Sequence, residues 1–147
     1  MKILSFNMWG TFGPFESRWA EAVRVLPNVK ADIMCFQEAT HATWLQRVSE
    51  ATGLPIILSD VDSTGLAILS RIPVVEQNLQ PYRTRSPMES YIRKFQYIRV
   101  GKGSDVFGIA NTHLSWKPSD NPTRALQVDE LAAFADGLNH PLILCGD

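Results

Sequence analysis

The stretch LILCGD, Leu142–Asp147, decides how the rest of the chain is read. Four consecutive apolar residues make a run of the length and kind that buries as a strand. Gly146 then permits a sharp change of direction, and Asp147 stands where a strand hands a carboxylate to whatever lies at its end. Other apolar runs end in the same way. KILSFN (2–7) closes on Asn7, ADIMCFQE (31–38) on Glu38, and VFGIANTH (106–113) on His113.

Each of the four also has a plain reading. An acid after a strand often opens a helix, whose N-terminus favours negative charge. A histidine near a strand end is often structural, asparagine closes turns, and Asp147 also reads as a helix cap or a terminus. The set says more than its members. Strands that each finish in an acid, an amide or an imidazole can converge at one sheet edge. Carboxylates there suit a hard divalent cation such as Mg²⁺, which prefers oxygen ligands. An imidazole and an amide beside them suit a phosphate.

The remaining sequence supplies a frame for that edge. At 147 residues, 45% hydrophobic and 20% charged, the chain has the composition of one soluble, core-bearing unit. Its net charge of -1 gives no general attraction to polyanions, so any nucleic-acid binding has to rest on a local basic face. No run approaches the roughly 18 apolar residues of a membrane span, and MKILSF is too short for a signal-peptide core; a cytoplasmic location is the expectation. Cys35 and Cys145 sit inside apolar runs and read as buried, reduced thiols rather than as a disulfide or metal pair.

Strands are expected at 2–9, 31–39, 55–59, 65–70, 73–80, 91–100, 105–112 and 141–147, with GKGS (101–104) as a turn. One helix is expected from a Ser17 cap to about Pro27, and another from Thr40 or His41 to about Ala51. A third starts at Asp120 or Asn121 with Pro122 in its first turn, its apolar face running through Ala125, Leu126, Leu131, Phe134, Ala135 and Leu138. The class is α/β (α+β), and a sheet covered by helices on one side fits better than a doubly wound parallel fold.

Two segments suggest substrate contacts. YRTRSPMESYIRKF (82–95) interleaves Arg93 and other cations with Tyr91 and further aromatics, which reads first as a solvated hairpin with aromatic core anchors and otherwise as a phosphate-binding face. MWGTFGPFESRW (8–19) either lines a groove with Trp9 and Phe12 or packs under the sheet.

SFNMW, ADIMCFQEA, GLAILSR, NTHLSW and LILCGD, in this order, resemble the endonuclease/exonuclease/phosphatase superfamily, the deoxyribonuclease-I-like fold, from Lys2 to Asp147. The resemblance implies a two-layered β-sandwich flanked by helices, with a phosphoesterase site that uses Mg²⁺ or Mn²⁺. By that resemblance Glu38 is a metal ligand, Asn7 supports the metal or the phosphate, and His113 contacts the scissile phosphate. Asp147 matches the first acid of a Gly-Asp-x-Asn motif that orients or activates the attacking water. Arg124 and Gln127 match a recurrent Arg-x-x-Gln segment and look structural.

That family continues past its Gly-Asp with an asparagine, further strands and a late Asp-His pair. Residues 1–147 are therefore expected to form the N-terminal part of the domain, truncated after the Gly-Asp strand and inactive alone. Members cleave nucleic acids, phospholipids and inositol phosphates, so the resemblance leaves the phosphate-ester substrate open. The alternative is a non-catalytic relative that keeps the scaffold as a binding or interaction module.

Overall fold

Alternation along a few short strands separates this molecule into layers. In the computed structural model, which describes residues 1–102 and 105–147, the elements run β1 (Ile3–Asn7), α1 (Phe15–Val29), β2 (Ile33–Gln37), α2 (Ala42–Thr52), β3 (Ile56–Asp60) and β4 (Leu66–Ser70). Then follow β5 (Val74–Pro81), β6 (Lys94–Lys102), β7 (Asp105–Thr112), α3 (Asn121–Asp136) and β8 (Leu142–Gly146). The tip of the turn expected at GKGS, residues 103–104, lies outside the described residues.

All five residues of β2 are buried, because both of its faces are covered. Met34 and Phe36 point to α1 and α2, where they meet Trp19, Leu26, Leu45 and Val48. Ile33 and Cys35 point the other way, into a core shared with Ile98, Val100, Ile109 and Cys145. A strand's side chains alternate between faces, so one short run can serve two cores only when layers lie on both sides. On the far side, Phe95 and Tyr97 of β6 pack with Leu131 and Phe134 of α3. The result is a four-layer α/β/β/α sandwich, and Cys35 and Cys145 are buried free thiols within it.

There are two sheets where the element pattern alone suggested one. The first has the order β1-β2-β4-β3 and the second β5-β6-β7-β8. Runs apolar on both faces do not say which strand lies beside which, and so one sheet or two is not legible in them. In each sheet one neighbouring pair is parallel: β1 with β2, and β7 with β8. Parallel neighbours need a crossover, and α1 and α3 supply it. The other pairs are antiparallel.

Helix boundaries moved slightly from expectation. α1 begins two residues before Ser17 and carries Pro27 within it, ending on Lys30 in the left-handed conformation. Ser17 instead donates its hydroxyl hydrogen bond to the Pro14 carbonyl. α3 starts with Asp120 as cap and Pro122 in its first turn. Leu126, expected on its buried face, is exposed. Among the described residues no helix is long and apolar enough to cross a membrane.

Candidate active site

Both parallel pairs end at the same rim of the sandwich. Asn7 pairs in register with Gln37, the residue before Glu38, and Thr112, before His113, pairs with Gly146, before Asp147. Two chain crossovers thus deliver four chemistry-bearing residues to one place. Glu38, His113 and Asp147 each offer a ligand atom, and these atoms all lie within 4.8 Å of one another. The Asn7 amide NH₂ donates to Glu38 Oε1 at 2.9 Å and to Asp147 Oδ2 at 2.6 Å. His113 Nε2 stands 3.8 Å from Glu38 Oε1.

Asn7, expected to support the metal or the phosphate, stands between the two carboxylates. Its oxygen accepts the Trp9 N–H at 2.7 Å, which obliges the NH₂ to face the two carboxylates. An amide donor between two acids screens their repulsion and fixes their spacing. Asn7 therefore orients the carboxylates, and its own oxygen is spent on the backbone.

Backbone close to Glu38 is held in an uncommon conformation. Trp9, Gly10 and Glu38 all have positive φ, 56°, 50° and 49°. For non-glycine residues this region costs on the order of 1–3 kcal/mol and persists only when neighbours over-determine it. Here Met8 N–H donates to Gln37 O, Gly10 N–H to Glu38 O and Ala39 N–H to Gly65 O, at 2.8, 3.1 and 2.8 Å. The Arg18 guanidinium gathers the carbonyls of Met8, Trp9, Gly10 and Phe12. Gly65 is needed for this contact: a Cβ there would stand 3.0 Å from the Glu38 Cα. Gly146 is needed on the other side, where a Cβ would fall 2.5 Å from the Thr112 carbonyl oxygen.

His113 is buried, and its surroundings keep it neutral. Burial lowers its pKa first and the nearby Arg93 guanidinium adds to that, against the opposing pull of Glu38, Asp147 and Glu89. Arg93 itself, expected to bind substrate, lies in the groove's lining with its donors largely taken by the protein. It is 3% exposed and makes a two-pronged pair with the Glu89 carboxylate, both bonds 2.9 Å, while its remaining nitrogen donates to the His113 carbonyl at 3.3 Å. Its charge is paired with Glu89, and its third nitrogen holds the His113 main chain.

Glu89 escaped the sequence reading, whereas Arg124 and Gln127 make structural contacts of the kind expected of them. Glu89 accepts from Ser115 Oγ and from Trp116 N–H. Arg124 donates to the carbonyls of Ser115, Lys117 and Pro118, and Gln127 binds both the N–H and the hydroxyl of Ser115. One layer below the rim, buried amides join the two sheets. Asn111 donates to Phe36 O, Ala67 O and Gln96 Oε1, and accepts from Gln37 Nε2 at 2.7 Å. Three amides inside otherwise apolar strands, Gln37, Gln96 and Asn111, are the only sequence signal that could have marked this layer.

A groove of ≈ 890 Å³ opens over the cluster. Trp9 and Phe12 line it from the β1–α1 loop, Tyr91 and Trp116 from the other sheet's loops, with Glu38, His113 and Asp147 also in its lining. Tyr82 and Phe95, from the same basic-aromatic segment as Tyr91, are buried core anchors instead.

Solved structures share this architecture over 99% of the chain. TDP2 from Caenorhabditis elegans superposes with a TM-score of 0.80 at 21% identity, and this chain covers 46% of that one. For a mannosyl-6-phosphatase from Bacteroides thetaiotaomicron the values are 0.71, 19% and 63%. For D. rerio TDP2 complexed with single strand DNA product they are 0.75, 15% and 58%. The chain spans about half the length of the first of these relatives and less than two thirds of the others. No curated protein matches the sequence. The sandwich with its rim cluster defines a deoxyribonuclease-I-like fold. Residues 4–147 match the Endonuclease/Exonuclease/phosphatase family, and the chain belongs to it.

Proposed function

We propose that this chain carries the metal- and phosphate-binding part of a divalent-metal-dependent phosphoesterase. The convergence of Glu38, His113 and Asp147 on Asn7 is the observation that carries the reading. Two carboxylates and an imbalance of negative charge fit Mg²⁺ or Mn²⁺, which take oxygen donors and keep several waters. Glu38 and Asp147 would hold such an ion, and when bound it supplies Lewis acidity toward a phosphoryl oxygen.

The chain's own residues do the rest. His113, kept neutral, offers an N–H to a phosphoryl oxygen as charge builds there, a contact that strengthens toward the transition state. Asn7 holds the two carboxylates apart at a set distance. Asp147, exposed at the rim, orients a water for in-line attack. The groove's mouth admits a phosphate ester whose flanking groups rest against Trp9 and Tyr91. A mannosyl-6-phosphatase and a TDP2 complexed with single strand DNA product among the similar structures support the ester class without choosing a member of it.

The roles separate by experiment. Glu38→Gln keeps the side-chain shape but removes the ligand charge, so Mg²⁺ binding and hydrolysis of bis-p-nitrophenyl phosphate should fall together. His113→Ala should spare Mg²⁺ affinity while slowing hydrolysis by roughly 10²–10³ in kcat. Full rescue of His113→Ala by excess metal, or wild-type hydrolysis by Glu38→Gln, contradicts these assignments.

A further inference from the structure

The rim cluster is assembled from two separate sheets. β2 delivers Glu38, while β7 and β8 deliver His113 and Asp147. Within each sheet, backbone hydrogen bonds fix the register of neighbouring strands. Among the described residues no strand of one sheet pairs with a strand of the other. The core between them, with Ile33, Cys35, Ile68, Ile98, Val100 and Ile109, is apolar. Apolar burial holds two faces together without direction, so it specifies their sliding offset only weakly. Asn7 does bridge the sheets at the rim, but its bond to Asp147 is exposed, where water competes for both partners.

One buried side chain supplies the missing direction. Asn111, on β7 two residues before His113, is fully buried and reaches across to the first sheet. Its NH₂ donates to Phe36 O at 2.9 Å and to Ala67 O at 3.2 Å, main-chain oxygens of β2 and β4. Its oxygen accepts Gln37 Nε2 at 2.7 Å, from the residue that precedes Glu38. Gln37 is tied in turn to Ser5 Oγ at 3.2 Å on β1, the strand that carries Asn7. Exchanging the two ends of the Asn111 amide would set a donor against Gln37 Nε2 and an oxygen against two carbonyls, so only one orientation satisfies the layer. A buried polar network satisfied in this way rigidifies what it joins.

Resting on the phosphoesterase reading, we infer that Asn111 is a positioning residue of the site. By pinning β7 to β2 and β4 it sets the offset of the two sheets, and with it the separation of Glu38 from His113 and Asp147. It touches neither ester nor ion. Its influence passes through carboxylates that must meet one cation from two sheets, where a misplacement of about 1 Å can cost on the order of 10²-fold in rate.

The test compares two substitutions on the same face of the same strand of the whole chain. Asn111→Leu keeps a similar volume and removes the directional link. Ile109→Ala, two residues back in the same inter-sheet core, removes apolar packing and no side-chain hydrogen bond. Both should lower the urea midpoint. Asn111→Leu should weaken Mg²⁺ binding, read by calorimetry without ester, by roughly 10- to 100-fold, the usual effect of losing a residue that orients metal ligands. It should also lower kcat for bis-p-nitrophenyl phosphate at saturating Mg²⁺ by about 10²-fold, with KM nearly kept. Ile109→Ala should leave Mg²⁺ affinity and kcat nearly unchanged at an equal or larger loss of stability. Gln37→Met, close in size to the native residue, cuts the link from the first sheet and should move both readouts in the direction of Asn111→Leu, by less; it decides the matter if Asn111→Leu does not fold.

Equal effects of Asn111→Leu and Ile109→Ala on Mg²⁺ binding and kcat overturn the inference, since Asn111 would then be one more core residue. So does an Asn111→Leu variant, or a Gln37→Met variant standing in for it, with native Mg²⁺ affinity and kcat. In either case hydrolysis by the unaltered chain leaves the phosphoesterase reading standing. An unaltered chain that neither binds Mg²⁺ nor hydrolyses the ester removes that reading, and the inference with it.

Discussion

The β1–α1–β2 and β7–α3–β8 units solve one problem by two different means. Each is a parallel pair joined by a helix, and each sends two functional side chains to the rim. In each, an arginine from the crossover helix, Arg18 or Arg124, gathers the carbonyls of the loop that follows the first strand. Beyond that they diverge. The first unit positions Glu38 by backbone conformation, with positive φ at Trp9, Gly10 and Glu38 pressed against Gly65. The second positions His113 by side chains, with a buried Glu89–Arg93 pair under it and Gln127 on the loop beyond it. A carboxylate that meets a cation has to stay reachable, so its support lies in the main chain behind it. A neutral imidazole gains from being enclosed, so its support can be buried polar groups.

The largest expected difference tests the second unit. Arg93→Ala leaves the Glu89 carboxylate buried without its partner, which typically costs about 3–5 kcal/mol. Urea unfolding monitored by circular dichroism should show that loss. A loss under about 1 kcal/mol would mean that the pair is wet and that enclosure does not distinguish the two units.

A smaller effect is expected from the first unit. Gly65→Ala places a Cβ 3.0 Å from the Glu38 Cα at φ 70°, so it should destabilise by more than about 1 kcal/mol. It should also weaken Mg²⁺ binding by displacing Glu38, whereas Arg93→Ala should not do so in protein that remains folded. Calorimetric titration of both variants compares them directly. Equal effects on Mg²⁺ would erase the distinction between backbone and side-chain support.

The smallest effect concerns acid. Burial pushes the Glu89 carboxyl up, but hydrogen bonds from Arg93, the Trp116 N–H and Ser115 outweigh it and hold the pKa below the ordinary 4.5. A depressed folded pKa means that this stabilisation is present above about pH 4.5 and is lost as pH falls through the folded value. The acid limb of a stability–pH profile should therefore be shallower in Glu89→Gln than in the wild type. An unchanged acid limb would count against a buried ionised Glu89.

The pattern of apolar runs ending in Asn7, Glu38, His113 and Asp147 was legible because strand ends are local: a few residues announce both the strand and its terminal side chain. So were the crossover helices, whose periodicity lies within one segment, although Ser17, expected to cap α1, lies inside it. That the layers are two sheets rather than one was not readable from runs such as Ile33–Gln37, apolar throughout, since burial on both faces hides the alternation that assigns a face. Arg93 and Tyr82 show the same limit in a basic-aromatic segment. Glu89 stands only four residues before Arg93, yet the segment does not say that the two are buried together beside His113, or that the Tyr82 hydroxyl meets Thr112 at 2.7 Å. The place of Asn7 was legible, but which end of its amide faces the carboxylates was not, because that depends on the Trp9 N–H beside it. The sequence alone determined which residue types reach the strand ends and therefore the chemistry available there. Only the tertiary structure decided which charges remain uncommitted, since pairing depends on residues brought together from distant parts of the chain, as Asn7 and Asp147 are.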